Sequence, residues 1–268
     1  IEYESAFYHV MNRGRARQTI FPDRRYYQAF LETLDEAHQR FHSVIHAYCL
    51  MGNHYHLLLE TPRANLSRIM RHINGVYTQR HNRLKNTDGP LFRGRFKSIL
   101  VDKDDYLLKL TRYIHRNPID MKKPMVKELS EYPWSSYTAY INKNKSPAWL
   151  DRELSFKMLG QKQRYSGYEK YVERGVDEET SKFYHRGNTA AIVGDKDFKA
   201  WVFDDLLPDL EAEEKTRVIQ PNLMMKEIVE AVADTYGAEV SDLTTVVKGP
   251  QKGSEARKIA MYLCQELV

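Results

Sequence analysis

The sequence predicts an α+β fold: a ferredoxin-like antiparallel sheet with helices packed on one face, followed by a mainly α-helical C-terminal region. Three observations predict it. Residues 48–60 read as strand, tight Gly52-Asn53 turn and strand, because two β-rich runs flank a short polar link. Apolar residues recur at helical spacing on either side of that hairpin, at Tyr27, Phe30, Leu31 and Leu34 before it and at Leu66, Ile69, Met70, Ile73 and Tyr77 after it. Beyond Pro118 the strand pattern ceases and helical fragments take over.

Taken in order, residues 7–13 make the first strand and residues 14–17 a basic turn. Pro22-Asp23 starts a helix whose apolar side runs to Phe41. Residues 43–51 and 54–61 are the hairpin strands, and Pro62 ends the second. Asn65 caps the next helix, with an apolar stripe running to Leu84. Gly89-Pro90 breaks the chain before a fourth strand over residues 91–101, which opens with alternating aromatic and basic residues. Asp104 or Asp105 caps a third helix, and Pro118 stops it. The order β-α-β-β-α-β-α is the split βαβ plan with the third strand central. The last helix is added beyond that plan, so its inward edge is placed to face the sheet near His54 and His56. Further on, the aromatic residues 132–137 are expected to pack back on the sheet domain. Residues 142–145 form an exposed turn, and acidic residues prevail over 173–214. Asn222 caps a helix that Gly237 closes, and Ser254 caps a last one after the basic loop of residues 248–253.

Composition narrows the function. With 42% hydrophobic and 29% charged residues in 268, the chain has ample material for a globular core. No apolar run approaches the roughly 20 residues a membrane helix needs, and no signal-peptide pattern is visible. The start at Ile1 leads to the expectation that the natural chain begins upstream. Its 2 cysteines are too few for a Cys-based metal site, and their apolar segments suit buried thiols in a reducing cytoplasm. Residues 1–118 carry 19 Lys and Arg against 11 Asp and Glu, net +8, whereas residues 119–268 carry 22 against 25, net −3. Arg dominates the basic half, and its planar fork matches phosphate better than an ammonium does. Nucleic acid is the partner this favours.

Two clusters carry the chemistry. Alternation along a strand puts His54 and His56 on one face and Tyr55, Leu57 and Leu59 on the other. Four residues separate Tyr113 from Asn117, which places them on one helix face. Alone, a His-x-His in a strand is more often a hydrogen-bonded pair without chemistry, and most of 18 tyrosines are packing residues. If the clusters meet, two imidazoles, a carboxamide oxygen and a phenol converge. Two nitrogens and an oxygen with open positions suit Mg²⁺ or Mn²⁺, which would polarise a phosphoryl oxygen. A phosphate flanked by Arg112 and Arg116 would help Tyr113 lose its proton, since a phenol of ordinary pKa about 10 is a poor nucleophile. Arg13, Arg15, Arg93, Arg95 and Lys97 are expected to hold a nucleic-acid strand electrostatically, with Phe92 and Phe96 available for base stacking.

The motifs Tyr8-His-Val-Met-Asn-Arg-Gly14, Gly52-Asn-His-Tyr-His56, Phe92-Arg-Gly-Arg-Phe-Lys-Ser98 and Arg112-Tyr-Ile-His-Arg-Asn-Pro118 occur in the order found in REP-associated tyrosine transposases. These are single-tyrosine members of the HUH endonuclease superfamily with an IS200-like transposase fold, and the resemblance spans roughly residues 1–160. It implies that His54, His56 and Asn117 are metal ligands and Tyr113 the nucleophile. Related insertion-sequence transposases usually have Gln where Asn117 stands, so Asn117 points to the REP-associated branch. The implied substrate is single-stranded DNA near short palindromic hairpins, nicked and rejoined through a 5′-phosphotyrosine. Residues 222–268, and 248–267 most of all, are similar to the duplex-DNA-binding helix-turn-helix domain of the replication initiator DnaA. In that domain the recognition helix follows the segment at which this sequence ends. The expected organisation is a catalytic domain over 1–120, a mainly helical extension and linker over 121–220, and a DnaA-like segment over 221–268. The alternative is a non-catalytic regulator that holds DNA hairpins without cutting them.

Overall fold

A computed structural model describes residues 1–143, 146–160, 162–185, 191–208, 225–244 and 254–267. The chain divides into two compact units, the first of residues 1–181 with 192–208, the second of residues 182–191 with 209–268. Residues 121–181 belong to the first unit, together with the strands.

In that unit the strands β1 (Ala6–Arg13), β2 (Val44–Met51), β3 (His54–Thr61) and β4 (Lys97–Val101) alternate with the helices α1 (Arg24–Phe41), α2 (Leu66–Lys85) and α3 (Lys103–Asp120). The sheet order is β2-β3-β1-β4, antiparallel throughout, with a short fifth strand β5 (Ile192–Val193) added parallel to β4. This is the predicted plan, with β3 inside the sheet. Asp23 caps α1 through its carboxylate, as expected. The cap of α3 is Asp102 and not Asp104 or Asp105, because its carboxylate accepts from the Asp104 N–H. Nor does Pro118 stop α3, which continues to Asp120. Proline removes one helical donor but leaves its own φ helical, so a last half-turn survives. The fourth strand is shorter than predicted. Residues 91–93 instead run beside the end of β1, with Phe92 bridged to Gly14 and Arg93 N–H donating to Arg13 O at 3.0 Å.

The two faces of the sheet are covered differently. Tyr55, Leu57 and Leu59 are fully buried on the side of α1 and α2, where Phe30 and Tyr77 stack edge-on at 4.9 Å and the Tyr55 hydroxyl donates to Asn74. The added helix α3 lies across the opposite face, against β2 and β3. Residues beyond α3 then close the exposed edge of β2, which would otherwise present unpaired backbone groups. Leu50 N–H donates to Trp134 O at 2.9 Å, Ser136 N–H to Tyr48 O at 3.0 Å, and the Tyr132 hydroxyl to Leu50 O at 2.6 Å. The aromatic segment 132–137 thus packs back as the sequence suggests. Among the described residues α4 (Tyr137–Ile141), α5 (Glu153–Leu159) and α6 (Arg164–Glu173) follow, then α7 (Glu178–His185), of which residues 178–181 belong to this unit, with α8 (Lys196–Trp201) after β5.

The second unit contains α9 (Met225–Tyr236), α10 (Val240–Thr244) and α11 (Glu255–Leu267) around Ile228, Val232, Ala233, Leu243, Ala256 and Ala260. Gly237 closes α9 with φ +60°, and Ser254 caps α11 by accepting from Arg257 N–H. Asn222 and the basic loop 248–253 lie outside the described residues. Among the described residues no helix is long and apolar enough to cross a membrane.

Candidate active site

β3 carries His54 and His56 two residues apart, so the pleat turns both toward α3 while Tyr55 between them enters the aromatic core. β1 adds a third imidazole that the sequence reading passed over. In the antiparallel register Arg13 lies opposite His54 and Met11 opposite His56, which leaves His9 diagonal to His56 on the same face. Nε2 of His9 and Nδ1 of His56 are 2.9 Å apart, and both rings are buried. Alternation within residues 7–13 groups His9 with Met11 and Arg13. Only the pairing with β3 shows that this is the imidazole face.

Helix α3 brings the phenol. The Tyr113 ring stands edge-on to His56 and to His9, with centroids 6.1 Å away in each case, and His54 is 5.1 Å from His56. The two sequence clusters therefore meet. Asn117 lies one helical turn beyond Tyr113, and its Nδ2 donates to the Tyr113 carbonyl at 2.9 Å. That bond is the local capping role a helix-end asparagine often takes, and it uses the amide nitrogen and not the oxygen Oδ1. Nδ1 of His54 is 2.7 Å from Asn53 Oδ1 in the hairpin turn.

Burial sets the electrostatics. It lowers the His54 pKa to about 4, with the Arg13 charge adding to the effect, and lowers His9 to about 3, helped by Lys97. His56 is held well below its ordinary value by burial and then by its neighbours His54, His9 and Arg13. All three rings are therefore neutral near pH 7, the form in which imidazole ligates a metal. Burial pushes the Tyr113 phenol up to about 12, and a side-chain hydrogen bond with Asn117 opposes this. The donor set fits a divalent ion, with neutral imidazoles from His54 and His56, an amide oxygen from Asn117 and a rigid sheet-helix frame. Among the described residues, Asp102, Asp105 and Asp195 form a separate carboxylate group with ligand atoms within 4.8 Å. Asp102 there is already committed to capping α3 and to the Asp195 N–H.

The basic residues divide into two sets. Arg13, Arg15, Arg93, Arg95 and Lys97 are exposed, and pairing of residues 13–15 with 91–93 puts the first three on adjoining chain segments. Arg112 and Arg116 are committed elsewhere. Arg112 is buried, paired with Asp177 at 2.6 Å and stacked over Tyr171 at 4.5 Å. Arg116 holds Asp120 through two bonds and the Val172 carbonyl at 2.9 Å. Both anchor α3 to the following segments, which directs their guanidinium groups at protein acceptors rather than at a phosphate. Phe92 is likewise a core residue, packed between Tyr55 and Tyr77, which removes it from base stacking; Phe96 is half-buried. His115, next to the site in sequence, points the other way. Its two nitrogens meet Tyr168 Oη at 2.7 Å and Ser136 Oγ at 2.6 Å, locking α3 to the segments that follow it.

Comparison with known proteins places this geometry. Residues 2–117 match the IS200-like transposase family. Among solved structures, a REP-associated tyrosine transposase bound to a REP hairpin aligns at 17% identity and TM-score 0.47, over 56% of this chain and 88% of that one. A candidate transposase from Deinococcus radiodurans R1 aligns at 17% identity and TM-score 0.33, over 42% of this chain and 92% of that one. No curated protein matches the chain. The family match supports a DNA transposase role and spans β1 to the Tyr113–Asn117 turn, every element that builds the imidazole face. Over residues 2–117, this chain is similar to the IS200-like transposase family.

Proposed function

We propose that this protein is a metal-dependent single-strand DNA endonuclease and strand transferase that nicks and rejoins DNA at or near palindromic, REP-type hairpins. One observation carries the reading: the Tyr113 phenol is held 6.1 Å, ring to ring, from the buried imidazole of His56 by a rigid helix packed on a rigid sheet. Tyr113 is the nucleophile. Its oxygen bonds to the scissile phosphorus and its proton is released. The bond from phosphorus to the 3′ oxygen breaks, and that oxygen takes up a proton to leave a free 3′-OH. A 5′-phosphotyrosine remains, so attack by a 3′-OH reverses the step and joins strands without further energy input. His54, His56 and Asn117 hold Mg²⁺ or Mn²⁺, and a bound ion supplies positive charge to the phosphoryl oxygens. Burial keeps the free phenol protonated near neutral pH, so its proton leaves as the attack proceeds. Arg13, Arg15, Arg93, Arg95 and Lys97 bind the strand backbone. The motifs shared with REP-associated tyrosine transposases support the hairpin substrate. The similarity of residues 248–267 to the DnaA domain supports duplex contact by the C-terminal helices.

The test is a labelled single-stranded hairpin oligonucleotide incubated with protein and Mg²⁺ or Mn²⁺, then resolved under denaturing conditions. A covalent protein–DNA band that needs the metal and vanishes in Tyr113→Phe is the expected result. Hairpin binding with no adduct under any metal condition would leave the non-catalytic regulator in its place.

A further inference from the structure

Both imidazoles proposed as ligands are approached by a neighbour at the same ring atom. For His54 the neighbour is Asn53, whose amide orientation is settled by its other end, since Nδ2 donates to the Arg17 carbonyl at 3.2 Å. The oxygen Oδ1 must then be the atom 2.7 Å from His54 Nδ1, so His54 Nδ1–H donates and the lone pair sits on Nε2. For His56 the neighbour is His9 Nε2, 2.9 Å from His56 Nδ1. Two tautomer pairs satisfy that contact. In one, His56 donates from Nδ1 and keeps the lone pair on Nε2. In the other, His9 donates, and the Nδ1 lone pair of His56 is spent on that bond while Nε2 carries a proton. Only the first leaves His56 a nitrogen that ligates, and it gives both ligands the same open atom.

We propose that His9 and Asn53 are positioning residues that hold His56 and His54 in the Nδ1–H tautomer with Nε2 presented to the ion. The inference rests on the metal-site reading above and deepens it. The devices differ in origin. Asn53 is local, the residue before its ligand in the hairpin turn. His9 comes from another strand and reaches His56 only through the β1–β3 register. Outer partners of this kind fix ring orientation and tautomer and raise ligand basicity. His9 meets His56 at Nδ1, on the side of the ring away from Nε2, so it supports the ligand rather than adding to the ligand set.

Two measurements on the full chain test this. Long-range ¹H–¹⁵N correlation on the metal-free protein near neutral pH reads the imidazole tautomers directly. Protonated Nδ1 and bare Nε2 are expected for both His54 and His56, and a protonated Nε2 on either overturns the proposal for its partner. Mn²⁺ titration followed by electron paramagnetic resonance then compares the parent with His9→Leu and His9→Gln. Leu offers no acceptor, and roughly 10- to 100-fold weaker binding is expected. Gln places an amide oxygen near the position of Nε2, so recovery to within a few-fold of the parent is expected. Equal loss in both variants, or loss in neither, overturns the role of His9, as does a third histidine nitrogen coupled to Mn²⁺ in the parent. A parent that binds no Mn²⁺ fails the metal-site reading itself. The tautomers, read without metal, report on the positioning residues separately.

Discussion

The two faces of β3 differ by a shift of a single residue. On the α1–α2 face Tyr55, Leu57 and Leu59 are fully buried among aromatic and aliphatic neighbours. On the α3 face the alternate positions carry His54 and His56, joined by His9 from β1 and facing Tyr113. One backbone serves both, so the apolar face holds the strand in register and the imidazoles inherit that rigidity. The comparison teaches that the site does not have to stabilise itself. Burial on the opposite face, and of Leu58 further along the α3 face, offsets the cost of keeping neutral imidazoles out of water.

The sharpest way to break this division is to truncate one residue on each face. Leu57→Ala removes a fully buried side chain and is expected to cost about 2–5 kcal/mol, read as a shift in the urea midpoint. His54→Ala, on a half-buried residue of the other face, is expected to move stability by less than about 1 kcal/mol while weakening Mn²⁺ binding. Comparable destabilisation by both would make His54 a core histidine and erase the distinction.

Acid is a gentler probe, and it acts on the imidazole face together with buried His115 on the far side of α3. In the unfolded chain these rings take up a proton near 6.5, whereas folded His54 resists until about 4 and folded His9 until about 3. Between those values the unfolded state binds more protons. Stability is therefore whole above about pH 6.5 and is lost progressively as pH falls toward the folded pKa values. The melting temperature is expected to start falling below pH 6.5, ahead of the range in which ordinary carboxylates titrate. A melting temperature flat from pH 6.5 to 5 would mean that these rings are less buried than the structure shows.

The smallest effect concerns the basic rim. Replacing Arg93 and Arg95 together with Gln should lower the salt dependence of hairpin binding by about 1.4 in log–log slope, at roughly 0.7 per phosphate contact on single strands. Neither stability nor Mn²⁺ binding should change, since both residues are exposed. An unaltered slope would move the DNA path away from residues 91–95.

Much of the molecule is legible in its sequence because the deciding interactions are local. The β2–β3 turn, the alternation that separates His54 and His56 from Tyr55, and the four-residue step from Tyr113 to Asn117 follow from backbone periodicity. So do the caps of Asp23 and Ser254. Tertiary structure decided the rest. That His9 joins the imidazole face depends on pairing between residues 47 apart in the chain. Arg112 and Arg116 look like phosphate ligands until α3 is set against α6 and the Asp177 loop, 65 residues on. Phe92 looks like a stacking platform until residues 91–93 fold along β1 and turn it inward. A side chain's type and spacing state what chemistry it can do. Whether its hydrogen-bonding groups are already spent inside the protein is settled only by long-range packing, because a guanidinium or an imidazole binds whichever partner the fold brings within reach.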